Sequence, residues 1–544
     1  MDVKTITIVG GGSSGWMTAA ALAKLCPNIS VTLVESPNIK TVGVGESTLG
    51  HINRYFNLLG LKDEDWMAAC NATYKNSIRF TNFREKDGTS FEYPFGSGYD
   101  FTDCNSGLDT HGELATLYPD EFPPDSFAKM YASSNTALAL HNKQTKDKDK
   151  KLRHFSFDYD TAYHLDAAAL GEYLKNEICI PNGVTHVLNE VHSYQKDSKN
   201  NIIKIMCIDG SHLAADLFID CTGFKSQLLE HWMGQSFIPF DKHLANDCAW
   251  ACRLPYTNRE EQMHNVTDCH ALDNGWVWNI PLWNRIGTGY CFSKRFISIE
   301  GAQQEFKEHL TETYGKEIAD EAEMFFVPIR HGYRRKAFVN NVVGIGLSYG
   351  FVEPLESTGL LTTHENILKL VDLLNRRKGY ISNSEKEAYN FAVQYDLVGF
   401  RDFVSMHYAL SMRKDTPYWR WCTQINEYHP LQFNDFIPQF NVYTNSLVAI
   451  QSSNTYQEAN QGANYIAAGM GINTHSTPEL VRENYANQDA RSVNINTNSI
   501  DALEHSRKSY HSNQAWLTEY MDTLPSHYQF LKDEIYGGVD KYEG

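Results

Sequence analysis

The stretch KTITIVGGGSSGWMTAAAL, residues 4–22, decides the fold. Residues 4–9 form a short apolar strand, Gly10, Gly12 and Gly15 fit G-x-G-x-x-G, and Met17 to Leu22 continue as a helix. A second strand, Ile29 to Val34, ends on Glu35. That acid lies about 20 residues past the glycines, where a dinucleotide fingerprint places the partner of a ribose hydroxyl. The glycines allow a tight turn, close approach of backbone to pyrophosphate, and helix–strand contact. The helix start offers free N–H donors and a positive dipole end. Three glycines alone carry little information. Strand, glycines, helix, strand and acid in this order predict dinucleotide binding on an α/β fold.

The rest of the composition narrows the class. The chain has 544 residues, 42% of them hydrophobic, enough for a large core and more than one packed module. Its formal net charge of −18 argues against nucleic acid as a partner. No apolar run is long enough to span a bilayer. The N-terminus enters a strand directly, which predicts no secretory leader. The 11 cysteines are scattered without a C-x-x-C pair, which predicts reduced thiols in a cytoplasmic protein and no metal cluster.

Two later segments bear on which dinucleotide is bound. DLFIDCTGF (216–224) is an apolar strand ending in a glycine turn. VVGIGLSYGFVEPLESTGL (342–360) is a strand, a Gly/Pro-rich turn and a helix start. Proteins that bind FAD along their whole length resemble this three-part layout. In GWVWNIP (275–281), strand alternation puts Trp276, Trp278 and Ile280 on one face, and Pro281 ends the pairing. Taken alone, such a stripe is core.

GWMTAAAL (15–22), GVGEST (43–48), TYKNSIRFTNF (73–83), GWVWNIP and GLSYGFVEPLESTG (346–359) occur in that order. As a set they resemble the flavin-dependent halogenases of the tryptophan-halogenase family, over residues 1 to roughly 420. The resemblance implies an α/β fold: an FAD-binding, Rossmann-like module of the flavin monooxygenase type with a largely helical substrate module. It implies that reduced FAD, supplied by a separate flavin reductase, and O2 oxidise a halide (chloride, bromide or iodide) to hypohalous acid. That oxidant travels through a tunnel to an aromatic substrate. The resemblance places FAD on Gly10, Gly12, Ser13, Ser14, Gly15 and Glu35, and along Val42, Glu46, Val187 and Leu347.

The implied reaction centre has competing plain readings. Thr358 and Gly359 open an apolar helix and would hold halide on free backbone N–H groups. An ordinary N-cap explains the same residues. Ile78 and Phe80 face one side of a two-faced strand while Lys75, Ser77, Arg79 and Thr81 face the other, so Lys75 reads as a solvated lysine. By resemblance it is the catalytic lysine, which hydrogen-bonds hypohalous acid or carries the halogen as a haloamine. Activation would need a desolvated pocket. Glu356 reads as a surface acid near a turn, and by resemblance polarises the oxidant or takes the ring proton. Glu353 is the weaker candidate. Trp276, Trp278, Ile280 and Pro281 would form a steric filter that keeps the organic substrate from the flavin.

The chain departs from the tryptophan-specific members of that family. They carry a histidine before their P/N-F-G motif, where FEYPFG (91–96) has Tyr93. They clamp an indole between C-terminal tryptophans, whereas GANYIAAGMGIN (462–473) has none. Tyr93, Phe95 and Tyr465, with Tyr418-Trp419-Arg420-Trp421, are candidates to line a pocket for another indole- or phenol-type ring.

The flavin module is expected over 1–385 with a turn-rich insertion at about 84–154, and a mainly helical substrate module over 386–544. KQTKDKDKKLR (143–153) reads as a solvated loop. His164 to Leu170 reads as the start of a helix. Arg401-Asp402-Phe403 and His407-Tyr408 read as structural, and residues 484–500 as a mobile loop. A homodimer is a further expected assembly. The alternatives are an FAD-dependent aromatic hydroxylase and a flavin-binding protein without turnover.

Overall fold

The computed structural model describes residues 1–39, 45–96, 107–425, 457–473, 477–489 and 500–537. The opening motif folds as its spacing predicts. Strand Thr5–Val9 runs into helix Ser13–Leu25, which returns to strand Ser30–Glu35. These two strands pair in parallel, and Thr5–Val9 pairs in parallel on its other side with Leu217–Asp220. Leu217–Asp220 in turn takes Val342–Gly344, and Thr185–Leu188 flanks Ser30–Glu35. A short antiparallel strand, Phe338–Val339, closes one edge of this six-stranded sheet. The two late apolar segments are therefore strands of the same sheet. Their C-terminal ends stand beside the glycine turn, where open parallel sheets bind ligands.

A second sheet of seven strands is antiparallel except where Val266–Ala271 runs parallel to Ser77–Thr81. Trp276, on Gly275–Pro281, is fully buried in the main core, and Trp278 is half-buried on the same side. Val277 and Tyr290 face the opposite side, where helix Ile299–Tyr314 covers them. The tryptophan stripe thus has the predicted single face. Trp278 lies over Gly289 of the neighbouring strand, where a Cβ would come within 2.3 Å of its ring. Burying side chains of this size stabilises by about 1.5–3 kcal/mol each.

Two segments fold otherwise than their spacing predicts. The strand expected across 73–83 is two strands. Thr73–Lys75 pairs with Ala162–Leu165 in a three-stranded sheet, and Ser77–Thr81 belongs to the seven-stranded one, with Asn76 at the break. His164 lies in the Ala162–Leu165 strand. The helix starts only at Ala167, after Asp166, whose carboxylate accepts from the N–H groups of Ala168 and Ala169.

Other expectations shift as well. Residues 107–140 form helices with buried Phe127, Met130 and Leu138, and strand Ser90–Pro94 joins the seven-stranded sheet. The charged stretch 143–153 keeps Gln144, Asp147 and Leu152 buried. Residues 484–489 continue helix Pro478–Asp489, while 490–499 lie outside the described residues. The described segments beyond Asn383 are helical, starting with Asn383–Ala409. The ten cysteines among the described residues are free and buried. No helix among those residues is long and apolar enough to cross a membrane.

Candidate active site

The first part of the site is a backbone cradle at the start of helix Ser13–Leu25. Gly10 sits at φ +112°, and a Cβ there would meet the carbonyl oxygen of Cys221 at 2.3 Å. A Cβ on Gly15 would meet the carbonyl of Gly10 at 1.9 Å. Gly12 faces open space and is the N-cap, with no side-chain bond capping the helix. The first N–H groups of that helix therefore remain available to an anion. The Ser13 hydroxyl turns away and donates to the Ala167 carbonyl. Gly346, in the turn that carries Leu347, packs on Ser14 so closely that a Cβ would lie 2.9 Å from it.

Glu35 ends its strand as predicted, and Val187 is paired with Val34 in the adjacent strand. Its Oε1 is 2.7 Å from His186 Nε2, and its other oxygen leaves no room for a side chain at Gly11. Gly11 fell outside the three glycines of the motif, yet a Cβ there would sit 1.5 Å from that carboxylate. Buried Asp220 holds the neighbouring turn by accepting from the N–H groups of Thr222, Leu228 and Leu229. Glu46 is pushed up to about 7 by burial and by nearby Asp166. Val42 lies outside the described residues.

The second part gathers around Lys75. Its side chain is fully buried, so the solvated-strand reading fails. The ammonium donates to the Thr48 carbonyl at 2.9 Å and to the Ser357 hydroxyl at 2.8 Å, and lies 4.9 Å from the centre of the Phe95 ring. Burial lowers it to about 7, against the opposing pull of Glu356 and Cys269. The three residues proposed for substrate contact converge here. Tyr93 packs on Phe95 and Tyr465, with ring centres 6.2 Å and 5.9 Å apart, and on Phe403 at 6.0 Å. Tyr418 and Trp419 do not join them. Both are core side chains, bonded to Asn246 and to the Leu272 carbonyl.

Helix Thr358–Arg376 begins as expected, but the plain cap reading does not hold. Its N-cap, Ser357, adopts φ +56° and makes no side-chain bond to the helix. Its hydroxyl accepts from Lys75 and donates to Ser47. The Thr358 hydroxyl is buried without a hydrogen-bond partner, and Gly359 has only Phe351 near its Cβ position.

Glu356 is 1% exposed, not a surface acid. Its Oε1 lies 2.6 Å from His407 Nε2, out of line for a hydrogen bond. His407 Nδ1 donates to the Phe403 carbonyl, so Nε2 is the ring's free position. The 401–408 segment therefore contributes to the site, through a histidine whose pairing with Glu356 no local pattern announces. Glu353 is also buried, but Tyr408 and Asn246 donate to its two oxygens. Burial pushes its carboxyl up to about 7.

Among the described residues no cluster of three or more His, Cys, Asp or Glu side chains could hold a metal. The cradle, with no space for a side chain at Gly10, Gly11 or Gly15 and an uncapped helix start, fits FAD. The buried polar atoms of Glu356 and Thr358 fit a small polar ligand.

Comparison with known proteins gives the same answer. The sequence profile of the tryptophan halogenase family matches residues 5–485. The 7-chloro-L-tryptophan 6-halogenase KtzR of Kutzneria sp. (strain 744) is 31% identical over 553 residues, covering 97% of this chain and 98% of its own. Tryptophan 6-halogenase SttH of Streptomyces toxytricini is 36% identical over 442 residues, 76% of this chain and 80% of its own. Its crystal structure matches with a TM-score of 0.79 at 30% identity, over 97% of this chain and 99% of that one. The structure of VirX1 in its apo form matches with a TM-score of 0.88 at 51% identity, over 98% of this chain and all of that one (100%). KtzR and SttH are halogenases, so the hydroxylase alternative is not favoured. The chain belongs to the tryptophan halogenase family of flavin-dependent halogenases.

Proposed function

We propose that this halogenase acts on an electron-rich aromatic ring of the indole or phenol type, with Lys75 and Glu356 as its catalytic residues. The observation that carries the reading is Lys75 itself: an amine buried at 0% exposure, lowered to about 7, and faced by Phe95. Gly10, Gly12, Ser13, Ser14, Gly15, Glu35, Val42, Glu46, Val187 and Leu347 are the proposed FAD contacts. When bound, reduced FAD together with O2 supplies the two-electron oxidation that converts halide and a proton to hypohalous acid and water.

The chain's own residues do the rest. The N–H groups of Thr358 and Gly359, at a helix start without a cap, hold the halide. Trp276, Trp278, Ile280 and Pro281 keep the organic ring away from the flavin. Lys75 binds the oxidant by hydrogen bond or as an N-halo amine. Tyr93, Phe95 and Tyr465 stack the ring beside it. Glu356 accepts the proton that the ring loses on substitution. KtzR and SttH are named for tryptophan substrates. Tyr93 in place of a histidine, and 462–473 without tryptophan, favour a different ring here. A separate flavin reductase supplies the reduced cofactor, and a homodimer is the proposed assembly.

The test supplies FAD, a flavin reductase, NADH, O2 and chloride, bromide or iodide, with a panel of indoles and phenols. Products are read by mass spectrometry, with Lys75→Ala in parallel. Halogenated product that disappears in the variant supports the reading. Equal product from both proteins means that free hypohalous acid does the chemistry, and halide-independent oxygenation returns the hydroxylase.

A further inference from the structure

A chain of buried hydroxyls leaves Lys75 and ends on an imidazole that the halogenation chemistry above does not use. Lys75 donates to Ser357 at 2.8 Å, and Ser357 donates to Ser47 at 2.9 Å. Ser47 meets Thr267 at 2.7 Å, and Thr267 meets His164 Nε2 at 2.9 Å. His164 Nδ1 lies 3.3 Å from the Thr73 hydroxyl, which donates to the Pro281 carbonyl at 2.7 Å. All of these side chains are buried. The arrangement is held by register: His164 stands on the central strand, directly opposite Ser47 on one side and Thr73 on the other.

The far end fixes the direction of every hydrogen. A carbonyl only accepts, so the Thr73 proton is committed to Pro281 and Thr73 can only accept from His164 Nδ1–H. His164 Nε2 is then an acceptor, which makes Thr267 the donor to it and Ser47 the donor to Thr267. From Lys75 to His164 every hydroxyl points the same way. The other acceptor of the ammonium, the Thr48 carbonyl, cannot pass a proton on.

We propose that Ser357, Ser47 and Thr267 form a proton wire that moves one proton from the Lys75 ammonium to His164 and back during halogenation. This rests on the reading of Lys75 given above. In the outward step the Lys75 N–H, Ser357, Ser47 and Thr267 protons each advance one place, which leaves a neutral amine and an imidazolium. The amine nitrogen then bonds the halogen of hypohalous acid. The halogen–oxygen bond breaks with its electron pair on oxygen, and oxygen takes one amine proton to leave as water. In the return step the His164 proton comes back to the N-halo amine. The ring takes the halogen, the nitrogen keeps the bonding pair, and Glu356 takes the ring proton. Lys75 is left as an amine and Glu356 as an acid, which together hold as many protons as at the start, and passage of that proton to Lys75 resets the site. His164 acts through Lys75 and is a positioning residue, not one that touches substrate. The titratable groups facing this chain are Lys75 and His527 around His164, and Glu356 and Cys269 around Lys75; burial, with Lys75 and His527, holds the His164 imidazole well below its ordinary range, so the imidazolium is a short-lived carrier that returns its proton.

The test uses the full chain in two assays. One is steady-state halogenation with FAD, reductase, O2 and bromide. The other adds hypobromite directly, without flavin, and follows bromine on the Lys75 peptide by mass spectrometry. In wild type, the Lys75 bromination rate measured across H2O/D2O mixtures bows downward, as several protons in flight require. Thr267→Val and His164→Gln lower that rate and kcat by about 100-fold with KM unchanged, within the range general acid–base help contributes. Thr267→Ser, which keeps the hydroxyl, restores both. A linear dependence on deuterium in wild type, or bromination of Lys75 at the wild-type rate in Thr267→Val, overturns the wire while leaving the halogenase reading intact. Aromatic product formed without bromine ever residing on Lys75 overturns both the amine role and the wire.

Discussion

The flavin cradle and the Lys75 pocket are built in opposite ways. The cradle is backbone. Its tight positions, Gly10, Gly11 and Gly15, lie within six residues of one another, and none leaves room for a side chain. The Lys75 pocket is side chains brought from afar, with hydrogen bonds that span 27 and 282 positions of the chain. The difference teaches what each can tolerate. The cradle fails when an atom is added, whereas the pocket fails when a polar atom is removed or rewetted.

The largest expected effect is the sharpest test of that separation. Lys75→Ala lowers product formation by about 10³-fold while FAD affinity, read by fluorescence quenching, stays at the wild-type value. Loss of FAD binding in this variant would show that the two regions are one. Gly15→Ala is the converse, because its Cβ would press on the Gly10 carbonyl at 1.9 Å. FAD affinity falls about 100-fold, as a distortion of some 2–3 kcal/mol requires, while hypobromite added without flavin still reaches Lys75.

A third prediction concerns stability. The Lys75 ammonium is held at about 7 in the folded chain against an ordinary 10.5. Between those values the unfolded chain binds the extra proton, so wild type gains stability as pH rises through this window. Lys75→Met removes a buried charge and is more stable than wild type by about 1–2 kcal/mol at pH 7, though inactive. Thermal unfolding at pH 7 and pH 10 checks the sign, since the advantage must shrink at the higher pH. The smallest effect is at the substrate side. Gly462→Ala places a Cβ 2.7 Å from the Tyr93 hydroxyl and 2.9 Å from Phe403. It raises KM for the aromatic about fivefold, near 1 kcal/mol of overpacking, and leaves bromination of Lys75 by hypobromite unchanged.

The same contrast explains which parts were legible in the sequence. Strand, glycine turn and helix at residues 5–25 follow from local spacing: the strand differs by one residue from the expected bounds, and the helix, Ser13–Leu25, extends the expected 17–22 at both ends. The single face of Trp276 and Trp278 also follows from strand alternation. Lys75 shows the limit. Alternation placed it on the polar face of a continuous strand, but the chain breaks at Asn76 and Lys75 pairs with Ala162 instead. Its burial depends on Thr48, Phe95 and Ser357, none of which lies near it in sequence. His164 read as helical because it precedes Asp166-Ala-Ala-Ala-Leu, yet its strand is held by partners near residues 47 and 73. Glu356 read as a surface acid near a turn, yet it is buried and lies 2.6 Å from His407, 51 positions further along the chain.

One feature of the fold bears on how long such a catalyst lasts. Hypohalous acid corrodes thiols, and thiolates react faster than thiols. The ten described cysteines are all buried, and two of them flank residues proposed for the reaction. Cys269 faces the Leu355 carbonyl, and Cys291 lies across from Trp276 on the neighbouring strand. Burial holds both far above the ordinary thiol range, so neither ionises at neutral pH. Stray oxidant thus meets protonated sulfur shielded by packing, and the service life of the enzyme depends on how seldom its core opens.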